Sequence, residues 1–92
     1  MITIFKYEID TDDEIEILLP DKFEILTIQT QFNKPVLWAI VDTDTIKIKK
    51  HFCLYGTGHH VPADIFNQKY INTFQLDGGG LVFHLFEIIK EA

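Results

Sequence analysis

The sequence predicts an all-β fold of about seven strands, arranged as a small antiparallel β-sandwich or a partly open barrel. The 92 residues include fourteen isoleucines and eight phenylalanines but three alanines. Isoleucine and aromatic residues favour strands, whereas alanine favours helices. Apolar and polar residues alternate along most apolar runs, as expected of strands with one buried face. No repeat or linker divides the chain, so we expect a single domain over residues 1–92.

Three strands are predicted in the first third of the chain. Residues 2–9 and 15–19 alternate between apolar and polar positions, and an acidic turn separates the two runs. Pro20 ends the second run, because proline has no backbone N–H to donate to a sheet. Residues 23–32 form a longer run, and its alternation places four side chains on one face: Leu26, Ile28, Thr30 and Phe32.

Two further strands follow, separated by short polar turns at residues 33–35 and 42–45. Residues 36–41 are apolar at every position, which indicates a central strand covered on both faces. Residues 46–54 alternate again, but Lys50 interrupts the apolar set, and we expect a β-bulge or a strand end there. The tight turns predict that these two strands and the one before them form a meander.

The last third of the chain predicts a long loop and a hairpin. The segment between residues 56 and 68 lacks strand character and allows at most one short helical turn, near residues 62–69. Residues 70–76 and 81–89 are apolar runs on either side of a glycine-rich turn, which is the pattern of a β-hairpin.

Charge and apolar run length exclude several kinds of partner. The formal charge is −6 and the chain has no arginine, so it is poorly suited to neutralising the phosphates of a nucleic acid. The apolar runs are too short to span a membrane, and the start lacks the features of a signal peptide. With one cysteine and therefore no internal disulfide, we expect the protein to reside in a reducing cytoplasm.

Catalytic residue sets are scarce in this sequence. There is no serine, and nothing marks the lone cysteine, Cys53, as an activated nucleophile. No pair of carboxylates stands out as a general acid and base. We therefore expect a protein that is not an enzyme and that needs no cofactor or metal.

The segment around residues 56–60 is the first candidate site. Gly56, Thr57, Gly58 and His59 combine glycines, which let backbone N–H groups approach a ligand, with an imidazole. These residues, with Lys49 and His84, are candidate ligands of a small anionic, nucleotide-like molecule. The alternative interpretation is a tight polar loop that serves geometry alone. His59 and His60 are adjacent, so their rings point in opposite directions on an extended chain and do not form a metal site.

His84 lies within the last apolar run and shares a strand face with Val82, Phe86 and Ile88. A single histidine in such a run is predicted to be a hydrogen-bonded core residue, because buried polar groups normally have partners. The alternative is a ring that opens into a pocket beside the Gly56 loop.

An acidic segment near the N-terminus is the second candidate site. Residues 8–24 contain eight acids and one lysine, whereas the rest of the chain is nearly balanced. Such a segment is either a set of solvated turns or a surface that docks on a basic protein, since complementary charge steers association. The candidate partner-binding residues are Asp12, Asp13, Glu14 and Glu16. A calcium loop is excluded because Ile15 occupies the position that requires glycine.

Several motifs, taken in order, resemble a family of short proteins of unknown function that is common in tailed-phage genomes. The motifs cover nearly the whole chain: Val36-Leu-Trp-Ala-Ile-Val-Asp42, Gly56-Thr-Gly-His59, Pro62, Tyr70-Ile-Asn-Thr-Phe-Gln-Leu76 and Gly79-Gly-Leu-Val-Phe-His-Leu-Phe-Glu87. The resemblance implies a phage or prophage origin and a small stand-alone domain, and it implies no activity.

Two functions are open on this sequence. The first is a phage accessory protein that binds a host defence or regulatory protein through the acidic segment, without catalysis. The second is a protein that binds or sequesters a small nucleotide-like molecule through the Gly56–His60 loop. We also expect a homo-oligomer, because a thin core without disulfides leaves apolar surface to cover, and residues 81–89 or another edge strand would form the interface.

Overall fold

Seven antiparallel strands in two sheets make up the computed structural model, which describes residues 1–89. The strands are β1 (Ile2–Glu8), β2 (Glu14–Pro20), β3 (Phe23–Gln31), β4 (Lys34–Asp42), β5 (Lys47–Gly56), β6 (Lys69–Leu76) and β7 (Leu81–Glu87). One sheet has the order β1-β4-β3 and the other has the order β2-β5-β7-β6. The predicted all-β class, the number of strands and the closing hairpin are confirmed.

Helical structure among the described residues is limited to two 3₁₀ turns, Ala63–Asn67 and Asp77–Gly79. The first falls where the sequence allowed one helical turn. The second lies in the β6–β7 hairpin loop, where Asp77, Gly78 and Gly79 all have positive φ. Glycine adopts such φ values without steric cost, which explains the glycines at this turn. No helix among residues 1–89 has the length and apolar character needed to cross a membrane.

The core lies between the inner faces of the two sheets. Alternate residues of each strand point inward, and the fully buried side chains of the core come from both sheets: Phe52, Leu19, Ile28, Leu37 and Leu85. Burial of these side chains is the main stabilising term, at roughly 1.5–3 kcal/mol for each large apolar side chain.

The predicted meander is wrong at its last strand. β3 pairs with β4 as expected, but β5 pairs with β2 and β7 in the other sheet. Both edges of β4 are already occupied, one by β1 and one by β3, so no edge is left for β5. β4 is therefore central, as predicted, but Trp38 and Ile40 on its outer face stay partly exposed.

The bulge expected at Lys50 is also wrong. The register of β2 and β5 is continuous from Glu14 opposite Cys53 to Pro20 opposite Lys47. Lys50 keeps its place in the alternation because its ammonium group lies over the Phe23 ring, 5.4 Å from the ring centroid. A cation above an aromatic face is attracted by the ring's negative face, so an inward-facing lysine is tolerated there.

The register shifts occur in the two strands that face each other at one side of the sandwich, between Ile25 and Thr27 in β3 and between Tyr70 and Asn72 in β6. The shift in β3 corrects the predicted face, because Ile25 and Ile28 both pack on the core while Leu26 is exposed. Phe32, expected on the same face, lies in the β3–β4 turn with positive φ and is 92% exposed.

Side-chain hydrogen bonds join the edges of β3 and β6. The Asn72 amide donates to Thr27 Oγ1 at 2.8 Å and to the Ile28 carbonyl at 3.2 Å, and Thr30 Oγ1 donates to the Gln75 carbonyl. We call these contacts the β3–β6 seam. The seam closes one side of the sandwich, while the opposite side, between β1 and β2, has no equivalent hydrogen bonds among residues 1–89.

Candidate functional site

The outer face of the four-stranded sheet brings together residues of both predicted sites. The β2–β5 register puts Glu14 beside Cys53 and Glu16 beside His51, and the β5–β7 register puts Tyr55 beside His84. All of these side chains lie on the face opposite to the buried Ile15, Phe52 and Leu85, because successive strand residues point to opposite faces. Glu14 and Glu16 of the acidic segment therefore lie on the same sheet face as His84, which contacts the Gly56 loop.

His84 lies on this outer face and is partly exposed, so the prediction that it is a core residue is wrong. The predicted alternation of β7 is correct, but the face assigned to the core is not, because Leu85 and Glu87 point inward. The prediction of hydrogen bonding is confirmed. His84 Nε2 is 2.8 Å from Thr57 Oγ1, and Nδ1 is 2.8 Å from Thr73 Oγ1. Both ring nitrogens are thus occupied by threonine hydroxyls, which leaves neither one free to bind a ligand.

The Gly56 loop is a tight turn held by backbone hydrogen bonds. The His59 N–H donates to the Gly56 carbonyl at 3.0 Å, and the Thr57 N–H donates to the Val82 carbonyl at 3.1 Å. The His59 ring packs against Gly56 so closely that a Cβ atom there would lie 2.7 Å from it. Gly58 has a φ of +83°. Local geometry therefore accounts for both glycines and for the position of His59.

Lys49 is separated from the other predicted ligands of a small anion. It lies six positions before Tyr55 on β5, which corresponds to roughly 20 Å along an extended strand. Its ammonium is 3.6 Å from Glu16 Oε1, and His51 Nδ1 is 3.8 Å from Glu16 Oε2. The structure joins Thr57 and His84 directly, and it does not bring Lys49 to them.

The described residues contain no group of three or more histidine, cysteine, aspartate or glutamate side chains that would hold a metal ion. His59 and His60 are both exposed in the loop.

An aromatic cluster on the same face was not anticipated from the sequence. The Phe86 ring makes edge-on contacts with Tyr55 and Tyr70, with centroid distances of 5.5 and 5.4 Å. Tyr70 OH is also 2.6 Å from Thr73 Oγ1, which extends the hydrogen-bonded chain from His84. The alternation of β7 predicts that Phe86 shares a face with His84. The contacts of Phe86 with Tyr55 on β5 and Tyr70 on β6 could not be predicted without the strand order.

Tyr55 connects this cluster to the loop that leads from β5 to β6. Its hydroxyl donates to Gln68 Oε1 at 3.1 Å, so the end of the loop crosses the outer side of the sheet. Burial raises the pKa of Tyr55 above its ordinary value, and the neighbouring Cys53 thiol raises it further, while the hydrogen bond to Gln68 acts in the opposite direction. Burial also raises the pKa of Tyr7.

These raised pKa values predict a loss of stability in alkaline solution. The folded state keeps the phenol protons longer than the unfolded state, so the contribution of each tyrosine is complete below about pH 10 and is lost as the pH rises beyond it. Spectrophotometric titration should show that the Tyr55→Phe variant has one fewer tyrosine with a raised pKa than the unmodified protein. Loss of a tyrosine that titrates at the ordinary value would contradict this assignment.

The acidic segment occupies the connection from β1 to β2 and the start of β2. The Asp13 carbonyl accepts a hydrogen bond from the Leu54 N–H at 2.9 Å, which fixes the connection beside the end of β5. Asp10, Asp12, Asp13, Glu14 and Glu16 are all exposed. Within residues 1–89, Glu16 is the member of this group that forms ion pairs, and both pairs are largely solvated. Such pairs contribute roughly 0–1 kcal/mol to stability.

A shallow groove of about 180 Å³ runs along the acidic segment. Apolar and acidic residues alternate around it: Glu8, Ile9, Asp10, Asp12, Glu14, Ile15, Glu16 and Ile17. The three isoleucines point into the core and are buried, so the carboxylates form the accessible part of the lining. We call this feature the acidic groove. Its exposed carboxylates suit contact with cationic side chains such as those of lysine and arginine.

Comparison with known proteins gives a family but no described relative. A family model for a domain of unknown function, DUF7352, matches residues 1–92. No curated protein and no solved structure matches the chain. The match spans the full sequence, and the chain belongs to the DUF7352 family of domains of unknown function.

Proposed function

We propose that this protein is a phage-encoded accessory protein that binds a basic surface of a host defence or regulatory protein through the acidic groove, without catalysis. The observation that supports the proposal most directly is the concentration of exposed carboxylates around this groove. The fold keeps these charges at one place, because the Asp13 carbonyl is hydrogen-bonded to β5 and β2 is paired along its whole length.

The charge distribution favours a protein partner over a nucleic acid. The net charge of −6 repels phosphates, and the eight acids of residues 8–24 account for most of the excess. The same charge accelerates encounter with a cationic surface, by about tenfold to a thousandfold at low salt. Binding through rim charges of this kind weakens as salt increases.

Binding of a small nucleotide-like molecule by the Gly56 loop is the second function considered from the sequence, and the geometry supports it less well. Both nitrogens of His84 are engaged by threonines, the His59 ring is packed on Gly56, and Lys49 is paired with Glu16 on another part of the face. These groups would have to exchange their present contacts for contacts with a ligand.

Neutralising the acidic groove is expected to reduce partner capture with little effect on folding. The test variant carries Asp12→Asn, Asp13→Asn and Glu14→Gln, and a second variant adds Glu16→Gln. The matched control carries Asp21→Asn, Glu24→Gln and Asp64→Asn, which removes three exposed charges elsewhere on the surface. The melting temperature of both triple variants should stay within about 2–3 °C of the unmodified protein, since each exposed charge contributes little.

Capture is measured by immobilising each variant, passing bacterial lysate over it at 50 and 300 mM salt, and quantifying the retained proteins by mass spectrometry. We expect a protein that the unmodified chain and the control retain at low salt, and that the groove variant retains about tenfold less. Equal retention by all three proteins at both salt concentrations would refute the groove as the binding surface. Small molecules released from the same columns would then be analysed for a nucleotide-like ligand.

A further inference from the structure

β1 is an edge strand of the three-stranded sheet, and one of its edges is unpaired. We propose that two copies of this chain pair through β1 in antiparallel register, with the Phe5 residues facing each other across a two-fold axis. The three-stranded sheet of each copy would then become half of a six-stranded sheet. The proposal does not depend on the proposed function.

The two sheets have four edges, and three of them are occupied or protected. β3 and β6 are joined by the seam. β7, which includes most of the segment predicted to form an oligomer interface, lies between β5 and β6 and has no free edge. β2 is an edge strand, but acidic residues and a proline stand along it. Charges and prolines on edge strands are a common protection against pairing with another chain.

The hydrogen bonds at the strand ends show which residues of an edge strand have backbone groups that point away from the sheet. The Thr43 N–H donates to the Met1 carbonyl and the Ile9 N–H donates to the Pro35 carbonyl, so odd-numbered residues of β1 bond to β4. The N–H and C=O groups of the even-numbered residues therefore point away from the sheet: Ile2, Ile4, Lys6 and Glu8.

The free edge of β2 differs in composition from that of β1. The Leu54 N–H donates to the Asp13 carbonyl and the Asp21 N–H donates to the Ile46 carbonyl, so odd-numbered residues of β2 bond to β5. The free edge of β2 consists of Glu14, Glu16, Leu18 and Pro20. A second copy would meet two carboxylates and a position without an N–H there, whereas the Ile2–Phe5 half of β1 carries no charge and no proline.

One register satisfies the free groups of β1 best. With Phe5 opposite Phe5 of the second copy, Ile4 pairs with Lys6 and Ile2 pairs with Glu8, so all four even-numbered residues of each copy form hydrogen-bonded pairs. This arrangement makes about eight backbone hydrogen bonds. A shift by two residues toward the C-terminus would instead place Lys6 directly against Lys6, and like charges at that position are destabilising.

Phe5 supplies an apolar centre for this interface. Its ring lies on the inner face of β1, 6.5 Å from the Tyr7 ring, yet it is 42% exposed. It lines an open groove of about 460 Å³ between the free sides of β1 and β2, together with Tyr7, Leu18 and Pro20. Phe5 sits at a non-hydrogen-bonded position in the proposed pair, where side chains approach closest. The second ring would enter the groove and continue the core.

Charge also fits a second copy at this edge. β1 carries one lysine and one glutamate, so the paired strands are neutral overall. In the proposed register Glu8 of one copy lies opposite Ile2 of the other copy, so it meets no like charge on the paired strand. Glu8 belongs both to the paired strand and to the lining of the acidic groove, and the rest of the groove lies outside the pair of strands.

Proline substitutions distinguish a dimer that pairs through β1 from one that pairs through β2. The Ile4→Pro variant removes one outward N–H per copy without removing a hydrogen bond to β4, and Leu18→Pro does the same on β2. Multi-angle light scattering and sedimentation equilibrium should show a dimer of the unmodified protein at about 100 µM. We expect Ile4→Pro to raise the dimer dissociation constant by about ten- to a hundredfold, since two hydrogen bonds are lost per dimer, and Leu18→Pro to leave it unchanged. Circular dichroism establishes that each variant is folded.

Cysteine substitution tests the register. In a Cys53→Ala background, Phe5→Cys should form an intermolecular disulfide under mild oxidation, because residues at a non-hydrogen-bonded pair have Cα atoms about 4.5 Å apart. Thr3→Cys on the same strand faces Tyr7 of the second copy and should remain reduced. A monomer at about 100 µM would overturn the proposal, as would a dimer that Leu18→Pro disrupts or that Thr3→Cys cross-links more efficiently than Phe5→Cys.

Discussion

Replacing Phe52 by alanine is expected to lower the free energy of unfolding by about 3–5 kcal/mol. Phe52 points inward from β5, is fully buried, and stands first among the large side chains with no exposed surface. Truncation removes its contacts with both sheets and leaves a cavity that rigid, paired strands fill only in part. Small domains have unfolding free energies of about 5–15 kcal/mol in total, so the loss is a large fraction of the stability.

Urea unfolding followed by circular dichroism measures this effect, at one protein concentration because self-association would make the midpoint concentration-dependent. The matched control is Phe66→Ala, since Phe66 is 94% exposed in the 3₁₀ turn before β6. The control should change the unfolding free energy by less than about 0.5 kcal/mol. Comparable losses for the two alanine variants would mean that Phe52 is not at the centre of the core.

The Asn72→Ala variant is expected to lower the free energy of unfolding by about 1–3 kcal/mol. The Asn72 amide donates to both Thr27 Oγ1 and the Ile28 carbonyl, and its removal leaves a partly buried carbonyl without that donor. Because Asn72 belongs to β6 and its acceptors belong to β3, the variant weakens the seam between the sheets. Thr30→Val, which removes the hydroxyl bonded to the Gln75 carbonyl, should add a smaller loss.

Hydrogen exchange distinguishes a weakened seam from a general loss of stability. In Asn72→Ala, amides of β3 and β6 should exchange faster than those of β2 and β5, since local opening begins at the edge that has lost its contacts. Asn67→Ala is the control, because Asn67 is exposed. Uniform acceleration across all strands, or an equal effect of Asn67→Ala, would contradict the assignment of the seam.

The strands were predictable because their signals are local. A period of two in polarity, prolines and glycines at the turns, and the scarcity of alanine depend only on neighbouring residues. The partition into sheets was not local: β5 leaves β4 because β1, which is distant in sequence, occupies the other edge of β4. The environment of Lys50 was also not predictable from its neighbours in sequence, since the ring that accommodates its ammonium belongs to Phe23 on another strand.

The candidate site shows the same division between local and long-range information. The exposure of Asp12, Asp13, Glu14 and Glu16 followed from composition alone. The environment of His84 did not, because the orientation of β7 decides which of its faces meets the core. The aromatic cluster around Phe86 depends on β7 lying between β5 and β6, and strand order is not encoded in any single run of residues.

Hydrogen exchange of the complex with a captured partner locates the binding surface on the protein. Exchange at each amide is compared between the free protein and the protein bound to the partner that the salt-dependent capture identifies. We expect slower exchange over residues 8–17, where the acidic groove lies, with the β3–β6 seam unaffected. Slower exchange confined to residues 56–60 and the neighbourhood of His84, with residues 8–17 unchanged, would contradict it.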